Sequence, residues 1–312
     1  MYPVDCHSAE THLCIKKTLI MKTKNSNSIN GLWSRLPLVV RAILTGFLVS
    51  SVGVSLWSVM LVVLPGVLAI PPMIFLVWLF WKFFSGGLTS GRGSNIQKES
   101  FRLTKLRPDT WKWGLAAAAL FVIIVQASFV VTFRLVEFPA AKFTADYKQL
   151  DTFPLWQAFA IIVMSSIVAA VAEEAGFRGY MQAPLEKKYG VTIAIVITSF
   201  VFTAIHLSHS WAAPILPHIF FASILLGILA YRTGSLIPGI IGHAILDVFD
   251  YSVWWTDLTG GFQKQTIFRT GADFHFVVWL LIFLTALFGF FKVMMKLKGN
   301  IRVQTVGLAA AI

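Results

Sequence analysis

The sequence predicts an all-α membrane protein, a polytopic transmembrane bundle of about eight spanning helices. Three observations carry this. The 312 residues are 57% hydrophobic and only 13% charged, with a mean hydropathy of +0.75, where soluble chains carry about 25% charge. Eight apolar stretches approach or exceed the length that crosses a bilayer. Lysine and arginine, finally, cluster in every second connection between those stretches.

Residues 1–34 are polar, lack the apolar core of a signal peptide, and read as a disordered cytoplasmic tail. Met21 is an alternative start. Cys6 and Cys14 both lie in this tail, so no disulfide framework supports the fold, and "CHSAETHLC" matches no common zinc spacing. Residues 35–145 hold the first spans, at 38–62, 66–84 and 113–133. Between the second and third, residues 86–111 are rich in Gly, Ser, Lys and Arg and read as a basic cytoplasmic loop suited to an anionic membrane surface. Residues 146–255 hold four more spans, at 153–180, 191–208, 214–231 and 236–254. Residues 256–312 add a last span at 275–292 and a basic tail.

Charge tests that order. Arg35, then Arg92 to Arg107, Lys187 and Lys188, Arg232, and Lys292 to Arg302 alternate with connections that are uncharged or balanced. The bias places both termini in the cytoplasm. The net charge of +12 is spread over these short segments rather than over one face, which excludes a nucleic-acid partner.

Ionisable residues inside apolar spans are costly, about 2.5–3.5 kcal/mol each near mid-membrane, and usually face a bundle interior or a wet cavity. Ten of the fourteen acids lie in tails or connections; Glu173, Glu174, Asp247 and Asp250 do not. His206 and His243 fall within predicted spans, whereas His209, His218 and His275 fall near span ends. Glu174 and Arg178 are four apart and pair on one helix, leaving Glu173 turned about 100° away. Around the turn at Tyr189-Gly190, Glu173 and His206 lie seventeen and sixteen residues from Gly190. At the α-helical rise both sit about 24–26 Å from the turn and face each other. His243 follows the turn at Gly234 by nine residues, about 13 Å deep, and shares a face with Asp247. Asp250 is expected to cap its helix or face water.

A carboxylate beside an imidazole, kept from bulk solvent, is a base for water. The same set, Glu173, His206, His243 and Asp247, also offers ligands for a divalent metal such as zinc. No HExxH and no GxSxG occurs, and no cysteine lies in a span. A glutamate–histidine site acting on water remains, with or without a metal. A proton- or ion-coupled transporter and a non-catalytic membrane scaffold are the alternatives, but no internal symmetry of the kind transporters show is present.

At these residues the chain resembles the CPBP intramembrane proteases, also called CAAX-protease-like or ABI proteins. Their EExxxR, FxxxH and HxxxN/D signatures read here "EEAGFR" (Glu173 to Arg178), "FTAIH" (Phe202 to His206) and "HAILD" (His243 to Asp247). The resemblance covers about 150–255 and makes 146–255 the expected catalytic core. It implies that Glu173 activates the attacking water with His206, that Glu174 and Arg178 hold the helices, and that His243 and Asp247 stabilise the oxyanion. An ionised aspartate would repel an oxyanion, so Asp247 is protonated, orients His243, or binds a metal. The implied substrate is a membrane protein or lipidated, CAAX-type peptide in a lipid bilayer. The implied location is the bacterial inner membrane, with the site opening toward the cytoplasmic half.

Overall fold

The computed structural model describes residues 29–102, 106–138, 148–208, 215–256 and 265–297, and among these every regular element is helical. The expectations for Cys6, Cys14, Met21, His209 and the 1–28 part of the tail lie outside the described residues. Six stretches are long and apolar enough to span a membrane: Leu38–Val63, Gly66–Phe84, Pro108–Leu135, Leu155–Tyr189, Leu216–Thr233 and Phe274–Lys296. The other two expected spans exist as helices but do not meet that standard. Val191–Ile205 is apolar but only 15 residues long, and Ile237–Thr256 carries His243, Asp247 and Asp250. Side chains such as Phe75, Trp78, Phe200 and Phe288 point outward and exposed, as lipid-facing surface does. The chain is an integral, multi-pass membrane protein.

After a short α1 (Ile29–Arg35), α2 (Leu38–Val63) turns through Pro65 and Gly66 into α3 (Ile70–Phe84). Residues 86–111 are not simply a loop, because α4 (Gly91–Phe101) forms there. Phe101 is wholly buried against Trp81, ring centroids 4.9 Å apart, and Arg102 pairs with Glu186 at 2.7 Å. One buried aromatic and one shielded ion pair thus dock a polar helix that has no apolar face of its own. The long α5 (Pro108–Leu135) starts on a proline, whose missing N–H costs nothing in a first turn.

The next stretch is continuous but not uniform. It runs as α6 (Leu155–Glu173), eight residues of π-helix (Glu174–Met181), and α7 (Gln182–Tyr189). Pro184, two residues into α7, has no N–H and crowds the carbonyl four residues back, which favours the wider winding before it. Gly190 and Gly234, both at positive φ, end α7 and α9 (Leu216–Thr233). Between them lies α8 (Val191–Ile205). Then come α10 (Ile237–Thr256), a single turn α11 (Ile267–Thr270) and α12 (Phe274–Lys296).

Close contacts fix how these helices run. A Cβ on Gly176 would lie 2.4 Å from the Gly46 carbonyl, and one on Gly53 would lie 2.4 Å from Ala172 Cβ. Further along, Trp57 Nε1 donates to Ser165 Oγ at 2.7 Å and Gly66 abuts Phe153. So α2 is antiparallel to α6, and small residues bring their backbones together. By the same reading α10 runs parallel to α5, with Gly114 on Pro238, Gly242 on Ala118 and Phe121, and Gln126 donating to Asp250. The α12 helix is antiparallel to α5, with Gly289 on Leu120 and Arg134 on Asp273. There the buried Arg134 holds both carboxylate oxygens of Asp273 at 2.9 and 3.0 Å. That guanidinium, with the Phe276 N–H, keeps the Asp273 carboxyl down at about 2.

Gly176→Ala is expected to lower the thermal unfolding midpoint in detergent, because a methyl against the Gly46 backbone costs about 1–3 kcal/mol in overpacking. Gly93→Ala, with nothing within 4 Å, is the matched control and should not destabilise. Equal midpoints for the two variants would contradict the close approach of α2 and the π segment.

Candidate active site

Adjacent glutamates at the α6–π junction straddle one imidazole. The His243 ring on α10 meets Glu174 through Nδ1, at 3.0 Å from Oε1, while its Nε2 lies 3.8 Å from Glu173 Oε2 and 3.7 Å from Asp247 Oδ2. Neighbouring residues on a helix diverge by about 100°, and the two edges of the ring take up that divergence. Glu174 therefore does more than pair with Arg178. Its Oε1 serves both Arg178 Nη1, at 2.9 Å, and His243.

The Glu174–Arg178 pair is fully buried, not interfacial. Arg178 Nη2 donates to Ser223 Oγ at 2.9 Å, and its guanidinium lies 4.6 Å from the centre of the Phe202 ring. Gly239 makes room for the carboxylate, since a Cβ there would come within 3.2 Å of Glu174 Oε2. Charge pairing, a hydroxyl and an aromatic face together compensate the burial of the guanidinium. Phe202, the first residue of the FTAIH signature, also stacks beside His206 with centroids 4.8 Å apart. His206 Nδ1 lies 2.7 Å from the Phe202 carbonyl; a neutral ring with its proton there presents Nε2 as the accepting nitrogen.

Glu173, His206, His243 and Asp247 all line one cavity of about 1150 Å³. Glu174 and Arg178 do not; they form the packed floor behind His243. The cavity extends from this level past Asp250 and Tyr251 on α10, His218 and Ile215 by α9, and reaches Gly66, Gln149 and Phe153. These last residues lie at the bundle end away from the basic connections, so the expected opening on the basic side is not met. The reason is the floor itself: buried Arg178, Phe177 and Gln182 fill the basic side.

Asp250 lines the cavity and accepts from Gln126, and is not a helix cap; His218, in the first turn of α9 as expected of a span end, also lines the cavity and lies 3.1 Å from Ser128 Oγ. Sequence reasoning missed these pairs, although Gln126 is an amide within an apolar span and so carried a signal. Among the described residues, no three His, Cys, Asp or Glu side chains converge as the ligands of one ion do. His243 already directs Nδ1 at Glu174, and its Nε2 stands off two carboxylates at non-bonding distance. The donor set thus does not fit a zinc centre, which the residue types alone had left open.

Residues 154–249 match the family model described as type II CAAX prenyl endopeptidase Rce1-like. This segment is a CAAX-protease-family domain. It runs from the start of α6 through most of α10 and contains all seven residues of the three sequence signatures. Comparison with curated proteins and with solved structures finds no match. The domain supplies most of the cavity wall, while α2 and α5, outside the matched segment, close it with Val54, Trp57, Phe121 and Val125.

Proposed function

We propose that the chain is an intramembrane endopeptidase of glutamate type, hydrolysing a peptide bond of a membrane-associated, prenylated CAAX-type protein or peptide. The observation that carries this is the convergence of Glu173, His206, His243 and Asp247 on one large cavity within the family-matched segment. Glu173 takes a proton from water as the water oxygen bonds the carbonyl carbon, and His206 Nε2 orients that water by accepting its other hydrogen. The carbonyl π pair moves onto oxygen. His243, doubly protonated, holds Glu174 through Nδ1–H and turns Nε2–H toward the developing oxyanion. Asp247 steadies the ring from the cavity side, as an acceptor must. When the C–N bond breaks, the proton on Glu173 passes to the leaving nitrogen, and the carboxylate is restored.

The test is purified protein in detergent, incubated with membrane-anchored peptides of matched sequence, with and without a prenyl group, and read by mass spectrometry. New fragments from the prenylated set are expected, and they should persist after chelator treatment. Loss of cleavage in chelator would overturn the metal-free mechanism. Fragments equally abundant from unprenylated peptides would remove the lipid from the substrate definition, and proton-coupled uptake without fragments would favour a transporter.

A further inference from the structure

We infer that Asp250 and His218 form a second subsite in the cavity, one that takes a cationic side chain of the bound peptide, lysine or arginine, about three residues from the scissile bond. This rests on the peptidase reading and names part of its substrate. Neither residue belongs to the three signatures or takes part in activating water, yet both are ionisable groups on the cavity wall.

Position comes first. Asp250 follows His243 by seven residues on α10, so it shares the face that carries His243 and Asp247. It meets the cavity about 10 Å further along the wall, a span that an extended peptide covers in about three residues. His218, in the first turn of α9, belongs to nearly the same level, because one stretch of α5 holds both groups. Gln126 donates to Asp250 Oδ1, and Ser128 Oγ lies 3.1 Å from His218 Nδ1. Those two α5 residues are about 3 Å apart in rise, and both lie outside the family-matched segment. An amide and a hydroxyl within an apolar span thus each fix one group on the wall.

The hydrogen bonds of the pair decide what it can hold. Among the described residues Gln126 is the donor that meets Asp250, and it occupies Oδ1, which leaves Oδ2 to the cavity. Ser128 Oγ donates to the Val125 carbonyl at 3.0 Å. With its proton used there, it accepts from His218 Nδ1–H, and His218 Nε2 is left with its lone pair. Both groups therefore offer acceptors and no donor. A peptide carboxylate finds nothing to bind here, whereas an ammonium or guanidinium brings several N–H donors. Charge agrees with this. None of the described residues lining the cavity is a lysine or arginine, so Asp250 has no countercharge on the wall. A carboxylate within a membrane bundle is costly to keep ionised, and a guest cation offsets that cost.

The test uses the full-length chain in neutral detergent, carrying Glu173→Gln so that peptides bind without being cleaved. Prenylated peptides of one sequence carry lysine, or its uncharged analogue norleucine, at each residue in turn, and affinity is read by fluorescence anisotropy. One position should bind about 10–100-fold more tightly as lysine, the range that a hydrogen bond to a charged group supports. Glutamate at that position should bind more weakly than norleucine. Asp250→Asn keeps the shape and an acceptor for Gln126; it should erase the lysine preference and leave the norleucine peptide's affinity unchanged. Gln126→Leu, which leaves the carboxylate in place but unfixed, should weaken the preference. The inference is overturned if no position prefers lysine, if the preference survives Asp250→Asn, or, should that variant not fold, if Gln126→Leu keeps it at full strength. Affinity needs no turnover, so a lysine preference without cleavage by the wild-type chain would leave the subsite standing and overturn the peptidase reading alone. Cleavage with no such preference would do the reverse.

Discussion

Glu173→Gln should reduce cleavage by about 10²–10⁴-fold, the span a positioned general base contributes, while the protein keeps its fold. The carboxylate is the only acidic side chain that both lines the cavity and sits at the α6–π junction, 3.8 Å from His243 Nε2. The amide fills the same volume but cannot take the water's proton. Because Glu173 is partly exposed to the cavity and makes no close ion pair, its replacement should leave the unfolding midpoint nearly unchanged. Initial rates in detergent, alongside a thermal melt, decide the matter. A variant that cleaves at the wild-type rate would place the base elsewhere, and Asp247 would be the next candidate.

Arg178→Ala should have the largest effect on stability, about 3–5 kcal/mol, because it leaves the carboxylate of Glu174 buried without its countercharge. It also strips a donor from Ser223 and a cation from the Phe202 face. The loss should appear as a lower midpoint and poor recovery of monodisperse protein. Glu174→Gln separates structure from chemistry. It keeps the shape beside Gly239 and should cost less stability, yet it weakens the acceptor that fixes His243, so activity should fall further than the melt. A melt for Arg178→Ala within about 1 kcal/mol of wild type would show that the pair is not buried as described.

Much of this was legible in the residues. Glu173, Glu174, His243 and Asp247 stood out because charge within apolar stretches needs a reason; the four-residue spacing of Glu174–Arg178 is a close ion pair, and that of His243–Asp247 leaves the two side chains 3.7 Å apart. What was not legible is tertiary. A regular helical period sends Glu174 away from His243, and nothing in that period shows that one ring can lie between two adjacent glutamates. The π segment escaped for a related reason, although Gly176, Gly179 and Pro184 were there to mark it. Hydropathy counted Val191–Ile205 and Ile237–Thr256 as ordinary spans; one is too short and the other is diluted by the site's own polar groups. The direction of the cavity depends on which side chains fill the space behind the site, and no linear pattern records that.

The cavity's size bears on a problem every hydrolase in a bilayer faces, the supply of its second reactant. At about 30 Å³ per molecule, 1150 Å³ has room for on the order of 40 waters. Water is then not scarce at Glu173 in the resting enzyme; it becomes scarce only when a guest pushes it out. A slender segment leaves the reservoir in place beside the scissile bond, whereas a bulky one that binds more tightly also dries the reaction. Affinity and turnover should therefore part company as substrates grow, with the best binders acting as slow substrates or inhibitors.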